Sequence, residues 1–99
     1  MRICHFTSTF LPRADGVDHA LIRQSAPYDI ICCNILAQWL VEHARDIEAL
    51  MQDESLLILS GVLAQHVDKV IDVYQMVGLK LLQKISVGNW SSFIWQKQL

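Results

Sequence analysis

The chain has 99 residues, 53% of them apolar and 18% charged, with a formal net charge of −2. That length allows a single domain, and the apolar content excludes a disordered chain, while no apolar run approaches the roughly 18 residues a bilayer span needs. The basic residues Arg2, Arg13, Arg23, Arg45, Lys69, Lys80, Lys84 and Lys97 are scattered along the chain, leaving no basic footprint, so neither a nucleic acid nor a membrane is expected as partner. Cys4, Cys32 and Cys33 are odd in number, and the last two are adjacent inside an apolar run. Free thiols acting as small hydrophobes fit a reducing cytoplasm. His5, Thr7, Ser8 and Thr9 interrupt the amino terminus before any apolar segment reaches signal length.

Residues 3–10, ICHFTSTF, are β-branched and aromatic enough for a strand, and Pro12 with Asp15-Gly16 marks a loop. A short helical turn is expected around His19 to Gln24, closed by Pro27. Residues 29–35 then form a continuous apolar run that ends on Asn34, the pattern of a fully buried parallel strand. Its neighbour on one side is missing from the pattern, which predicts an edge with unpaired backbone groups. Apolar residues at 37, 40, 41, 44, 47, 50 and 51 keep a 3.6-residue period and predict one amphipathic helix over Ala37–Met51.

Leu56–Leu59 is a second buried strand, bounded by turn chemistry at Ser60-Gly61, with Ser60 placed to cap the next helix. That helix carries the stripe Leu63, Val67, Val70, Ile71, Tyr74 and Val77 and stops at Gly78, a residue suited to the left-handed position after a helix. Leu79–Val87 and Trp90–Trp95 flank the turn dipeptide Gly88-Asn89 and predict a terminal antiparallel pair. Right-handed crossovers place the two strong strands parallel and adjacent. The fold class expected is therefore α/β: two parallel strands with crossover helices, then an antiparallel pair.

In open α/β sheets ligands bind outside the carboxyl ends of the strands, which makes Asn34 a candidate ligand contact. An amide offers two donors and an acceptor without charge, enough to orient a cofactor edge or an amine; it also serves simply to satisfy backbone groups at a strand-to-helix turn. Cys4, His5, Cys32 and Cys33 lack C-x-x-C or H-x-x-x-H spacing, so no metal site is expected. Cys32 and Cys33 sit mid-strand in apolar company, unlike activated nucleophiles. His43 and His66 fall on polar helix faces and are expected to be solvated, with no evident partner for His5 or His19. Trp39, Trp90 and Trp95 are expected in core or interface packing, with substrate stacking as the alternative.

Four blocks carry a resemblance to a known family: PYDIICCNILA at 27–37, LILSGVLAQ at 57–65, the V-x-x-x-Y-x-x-x-G spacing from Val70 to Gly78, and VGNWSSFIW at 87–95. In that order and spacing the chain resembles the catalytic domain of the methyltransferase that modifies large-subunit ribosomal protein eleven, over roughly residues 16–96. The resemblance implies a partial Rossmann-like methyltransferase sheet and an S-adenosylmethionine cofactor. It also implies a ribosomal-protein substrate and a cofactor-lining role for Asn34, the asparagine of the N-I-L motif. Asp15, which with Asp18 flanks Gly16, falls where the family approaches the adenine side of the cofactor, although Asp-Gly also forms an ordinary turn.

The departures are specific. Such a site needs a glycine-rich turn after the first strand and an acidic residue to hold the ribose, and Gly16, Gly61, Gly78 and Gly88 are isolated. Trp39 stands where the family usually has a proline, and Asp53-Glu54-Ser55 where it has a glycine pair. Residues 1–99 are thus expected to form a single partial methyltransferase domain without the glycine-rich amino-terminal half, inactive alone. They are expected to act as a homodimer or with a complementing amino-terminal half. The alternative is a non-catalytic, self-associating or partner-binding module derived from that fold.

Overall fold

In the computed structural model, which describes residues 1–7 and 26–98, strand-forming and helix-forming segments alternate. They run β1 (Ile3–Thr7), β2 (Tyr28–Asn34), α1 (Ala37–Glu42), α2 (Ala44–Ala49), β3 (Met51–Leu63), a 3₁₀ turn (Ala64–His66), α3 (Val67–Met76), β4 (Leu79–Val87) and β5 (Trp90–Lys97). One sheet holds all five strands in the order β1-β2-β3-β5-β4. The pairs β1–β2 and β2–β3 are parallel, whereas β5 runs antiparallel to both of its neighbours. The expected α/β class is observed, as are the parallel central pair and the terminal hairpin about Gly88, a residue at φ +60°.

Several expectations are corrected. β2 is not an edge, because β1 pairs along it from Ile3↔Ile30 to Thr7↔Asn34. The parallel set therefore has three strands rather than two. Nor is β2 buried on both faces: Tyr28, Ile31 and Cys33 are buried, Ile30 and Cys32 half-buried, and Asn34 exposed. The single helix expected over Ala37–Met51 is interrupted at His43 (φ −110°, ψ 17°), and Met51 already belongs to β3. His43 brings both its amide N and its ring Nδ1 to 3.0 Å from the Trp39 carbonyl oxygen, and this local competition for one acceptor accompanies the break. Ser60 lies inside β3 and caps nothing; α3 begins at Val67 behind the 3₁₀ turn, with no side-chain cap.

Register partners on neighbouring strands share a face, so the pairing sorts the sheet into two surfaces. One surface carries Phe6, Ile31, Cys33, Leu57, Leu59, Phe93 and Trp95, all buried. All three helices among the described residues serve it: Trp39 of α1 lies 5.9 Å from Phe6, Tyr74 of α3 lies 5.8 Å from Trp95 (ring centroids), and Ile47 of α2 is 1% exposed in the same core. The Tyr74 hydroxyl donates to the Leu40 carbonyl at 2.7 Å and ties α3 to α1. Each such side chain contributes about 1.5–3 kcal/mol on full burial. The opposite surface carries Ile30, Cys32, Leu56, Ile58 and Ile94, all half-buried.

At the amino end of β3, Gln52–Ser55 bulge out between the register pairs Tyr28↔Met51 and Ile30↔Leu56. Ser55 Oγ closes this bulge by donating to the Tyr28 carbonyl at 2.6 Å and accepting the Gln52 amide at 3.0 Å. Glu54 takes φ +70°, a left-handed conformation natural to glycine, at the place where a glycine pair was expected from the resemblance. No helix among the described residues is long and apolar enough to cross a membrane.

Candidate functional site

Asn34 closes β2 at its carboxyl end, side chain exposed, beside the Ser60-Gly61 step of β3. Two features build that end. Ser60 Oγ donates to the Cys33 carbonyl at 3.4 Å, holding the last turn of β2 against β3. Gly61 sits at φ +75°, and a Cβ built on it would lie 2.7 Å from Asn34 Oδ1, closer than real Cβ atoms approach. Glycine is thus required twice over, once by the backbone and once by the carboxamide packed on it. The β3–β5 register shifts between Leu59 and Val62, so the Ser60-Gly61 pair is a bulge inside a strand that turns β3 toward Asn34.

Beyond Gly61 opens a groove of about 510 Å³ between α1 and the start of α3. Leu36, Ala37 and Val41 form one wall, Leu63 and Trp90 the other, and Gly61 joins the groove to the Asn34 seat. Leu36 and Trp90 stand 73% and 55% exposed at the mouth, an apolar rim on an otherwise mixed opening. The polar groups are Gln38, whose Nε2 donates to Glu42 Oε1 at 3.2 Å, together with His66 and Lys69 on the opposite side. Gln65 Nε2 approaches His66 Nε2 at 3.3 Å. An uncharged carboxamide at one end and an apolar channel with one anion and one cation at the other can position a flexible amine-bearing chain.

The other expected residues fall apart from this centre. Asp15 and the turn around His19 to Gln24 lie outside the described residues. Burial pushes the Cys33 thiol far above its usual range, with the neighbouring Cys4 and Cys32 thiols acting in the same direction. The Cys4 thiol is also raised, chiefly by burial, against an opposing hydrogen bond from Tyr28. Raised thiols are poor nucleophiles and suit packing. Among the described residues no three His, Cys, Asp or Glu side chains converge as a metal cluster. His43 is not simply solvated: its ring stacks on Trp39 at 4.3 Å between centroids. Trp39 and Trp95 pack in or against the core, as expected, whereas Trp90 lines the groove. Gly61 was the residue that sequence reasoning missed, since Ser-Gly after an apolar run reads as a turn. The only signal for its role was its spacing from the N-I-L block.

Comparison with known proteins places these features. The family model described as ribosomal protein L11 methyltransferase (PrmA) matches residues 12–98. A ribosomal protein L11 methyltransferase of Caulobacter sp. (strain K31) is 33% identical over 84 residues, covering 85% of this chain and 29% of that protein. Its counterpart in Brucella suis (strain ATCC 23445 / NCTC 10510) is 35% identical over 77 residues, covering 78% of this chain and 27% of that protein. The chain thus spans less than a third of the length of these curated relatives. Among solved structures, the ribosomal protein L11 methylase of Lactobacillus delbrueckii subsp. bulgaricus superposes with a TM-score of 0.71 at 19% identity, over 75% of this chain and 38% of that one. The M1.HpyAVI–SAM complex superposes with a TM-score of 0.69 at 12% identity, over 97% of this chain and 55% of that one. These structural neighbours show a Rossmann-like methyltransferase fold. On the extent of the family match and the identity to its curated relatives, the chain belongs to the ribosomal protein L11 methyltransferase family.

Proposed function

We propose that these residues supply the Asn34-bearing part of an S-adenosylmethionine-dependent protein methyltransferase whose substrate is an amine of a ribosomal protein. The observation that carries the reading is the Asn34 carboxamide seated at the carboxyl end of a parallel strand on a side-chain-free Gly61, which itself lines an open groove. A seat that any Cβ would fill fits one side of a cofactor pocket. S-adenosylmethionine, when bound, brings an electrophilic methyl group. Asn34 Oδ1 accepts an N–H of the incoming amine and aims its lone pair, while Nδ2 remains free to donate to the cofactor. The apolar groove walls hold the alkyl stem of the amine and exclude water from it. Asp15 is retained as an adenine-side contact of the same pocket. Nothing in the 99 residues replaces the glycine-rich turn, so the chain alone is inactive and binds cofactor weakly. Its three free thiols support a reducing, cytoplasmic setting for this reading.

Isothermal titration with S-adenosylhomocysteine tests this. The chain alone gives no resolvable heat. Mixed with the part of the Caulobacter relative that it does not match, it binds and transfers methyl groups to ribosomal protein L11. Asn34→Ala in that mixture lowers kcat/KM at least tenfold. Tight binding by the chain alone, or a mixture indifferent to Asn34→Ala, contradicts the reading. A second reading, a self-associating module, is favoured by a different observation, the sheet face that none of the described helices covers.

A further inference from the structure

The helix α1 is only six residues long and has no side-chain cap at its start. It begins three residues after Asn34 and stops at Glu42, because His43 leaves helical geometry. An unbroken helix would give the Leu40 carbonyl the amide of Ala44, but no such bond crosses the break. The Tyr74 hydroxyl donates to that carbonyl in its place, at 2.7 Å and shut off from solvent. A side chain of α3 has thus entered the hydrogen-bond ladder of α1, which is one of the ways a helix is broken. Burial holds the phenol protonated far above its usual range, so it stays a donor.

The bond joins the two walls of the groove. Ala37, Gln38, Val41 and Glu42 of α1 line one side and Lys69 of α3 the other, whereas Leu40 and Tyr74 are fully buried and do not reach the opening. Among the described residues it is the only hydrogen bond between α1 and α3. Apolar packing is non-directional, so a buried hydrogen bond is what fixes how the two helices sit against each other. The ring of Tyr74 is anchored separately, 5.8 Å from Trp95. Its oxygen can therefore be removed without emptying the core.

We propose that Tyr74 is a positioning residue for the methyl acceptor: through the Leu40 carbonyl it sets the spacing of the groove walls and the place of α1 relative to Asn34. The inference rests on the reading of the groove as the seat of the amine-bearing chain. Tyr74 meets neither the amine nor the cofactor and acts by geometry alone, to which reacting pairs are sensitive. Without the hydroxyl the Leu40 carbonyl is buried and lacks a donor, and it takes back the Ala44 amide. The helices α1 and α2 then run on as one, and the α1 wall turns from its place opposite Lys69. Acceptor binding weakens, while the cofactor side, built on the end of β2, keeps its form.

Tyr74→Phe tests this, with circular dichroism to confirm folding. In the isolated chain the amide resonances of residues 38–44 shift, while those of β2 and β3 stay in place. In the mixture with the remaining part of the Caulobacter relative, KM for ribosomal protein L11 rises about fivefold, with kcat and S-adenosylhomocysteine affinity changed less than about twofold. Replacing Tyr74 by 4-aminophenylalanine, which restores a donor at the same point, returns KM to the wild-type value. If Tyr74→Phe does not fold, the wild type decides: saturating the mixture with ribosomal protein L11 shifts the Tyr74 hydroxyl proton and the Leu40 carbonyl resonance. Unmoved resonances at residues 38–44, an unchanged KM, a loss shared equally by cofactor affinity, or indifference of the hydroxyl proton to the acceptor overturns the proposal. A wild-type mixture that transfers no methyl group overturns the methyltransferase reading and this inference together, whereas transfer with a KM indifferent to Tyr74→Phe overturns the inference alone.

Discussion

The two faces of the sheet are made from the same strands and nearly the same residue types, yet one is sealed by three helices and the other is half-open. Alternation along β3 shows it residue by residue: Leu57 and Leu59 are fully buried, whereas Leu56 and Ile58, alternating with them, are not. The difference does not lie in the strands themselves. It comes from topology, since right-handed crossovers that step the same way along a sheet return on the same side. A core can therefore be complete on one face while an equally apolar face waits for cover.

The comparison can be broken by cutting matched side chains. Leu59→Ala on the sealed face should cost about 3 kcal/mol by chemical denaturation, transfer and cavity terms together. Ile58→Ala, measured where the chain is monomeric, should cost about 1 kcal/mol, and the gap should narrow as concentration rises if the chain self-associates through this face. Equal losses at high dilution would mean the second face is covered within the monomer. Next in size is an alkaline effect confined to the sealed face. Burial raises the Cys33 thiol and, above all other causes, the Tyr74 phenol, so both stay protonated in the folded chain while the unfolded chain releases their protons. Stability is then fully present below the unfolded thiol value of about 8.5 and falls as pH rises above it, by on the order of 2 kcal/mol for Cys33 at pH 10, with Tyr74 adding to the decline only above about pH 10. Cys33→Ala should flatten that decline, and a pH-independent denaturation midpoint would refute the burial assigned to it.

Smaller effects sharpen the picture. Tyr74→Phe removes the bond to the Leu40 carbonyl and should cost about 1 kcal/mol while leaving the ring packing on Trp95 intact. Glu54→Gly relieves a left-handed glutamate in the Gln52–Ser55 bulge, away from both faces, and should raise stability by about 0.5–1 kcal/mol. A loss on Glu54→Gly would mean that the conformation is held by more than the bulge.

Much of this was legible before any coordinates. The Val70-to-Gly78 spacing set α3 and its left-handed stop, with Gly78 at φ +94°, and Gly88-Asn89 set the hairpin. Asn34 at the end of the apolar run did end a parallel strand. What escaped was non-local or competitive. The pairing of β1 with β2 depends on partners more than twenty residues apart, which no local pattern encodes. The break at His43 arises because a ring nitrogen and an amide share the Trp39 carbonyl, and the hydrophobic period runs through it undisturbed. Ser60-Gly61 carries turn chemistry, but the chain uses it for a bulge that makes room for a side chain from the neighbouring strand. The bare face was hidden for the same reason that β2 read as fully buried: an uninterrupted apolar run looks alike whether one or both of its sides are covered.

The most direct test of the central claim, that the carboxyl end of β2 faces the methyl donor, is nuclear magnetic resonance of the Asn34 side-chain amide. The spectrum is recorded while S-adenosylhomocysteine is titrated into the chain combined with the remaining part of its Caulobacter relative. The account expects saturable shifts of the Asn34 carboxamide and the Gly61 amide, with Ile58 on the opposite face unchanged. Saturable binding that leaves Asn34 and Gly61 unmoved would contradict it.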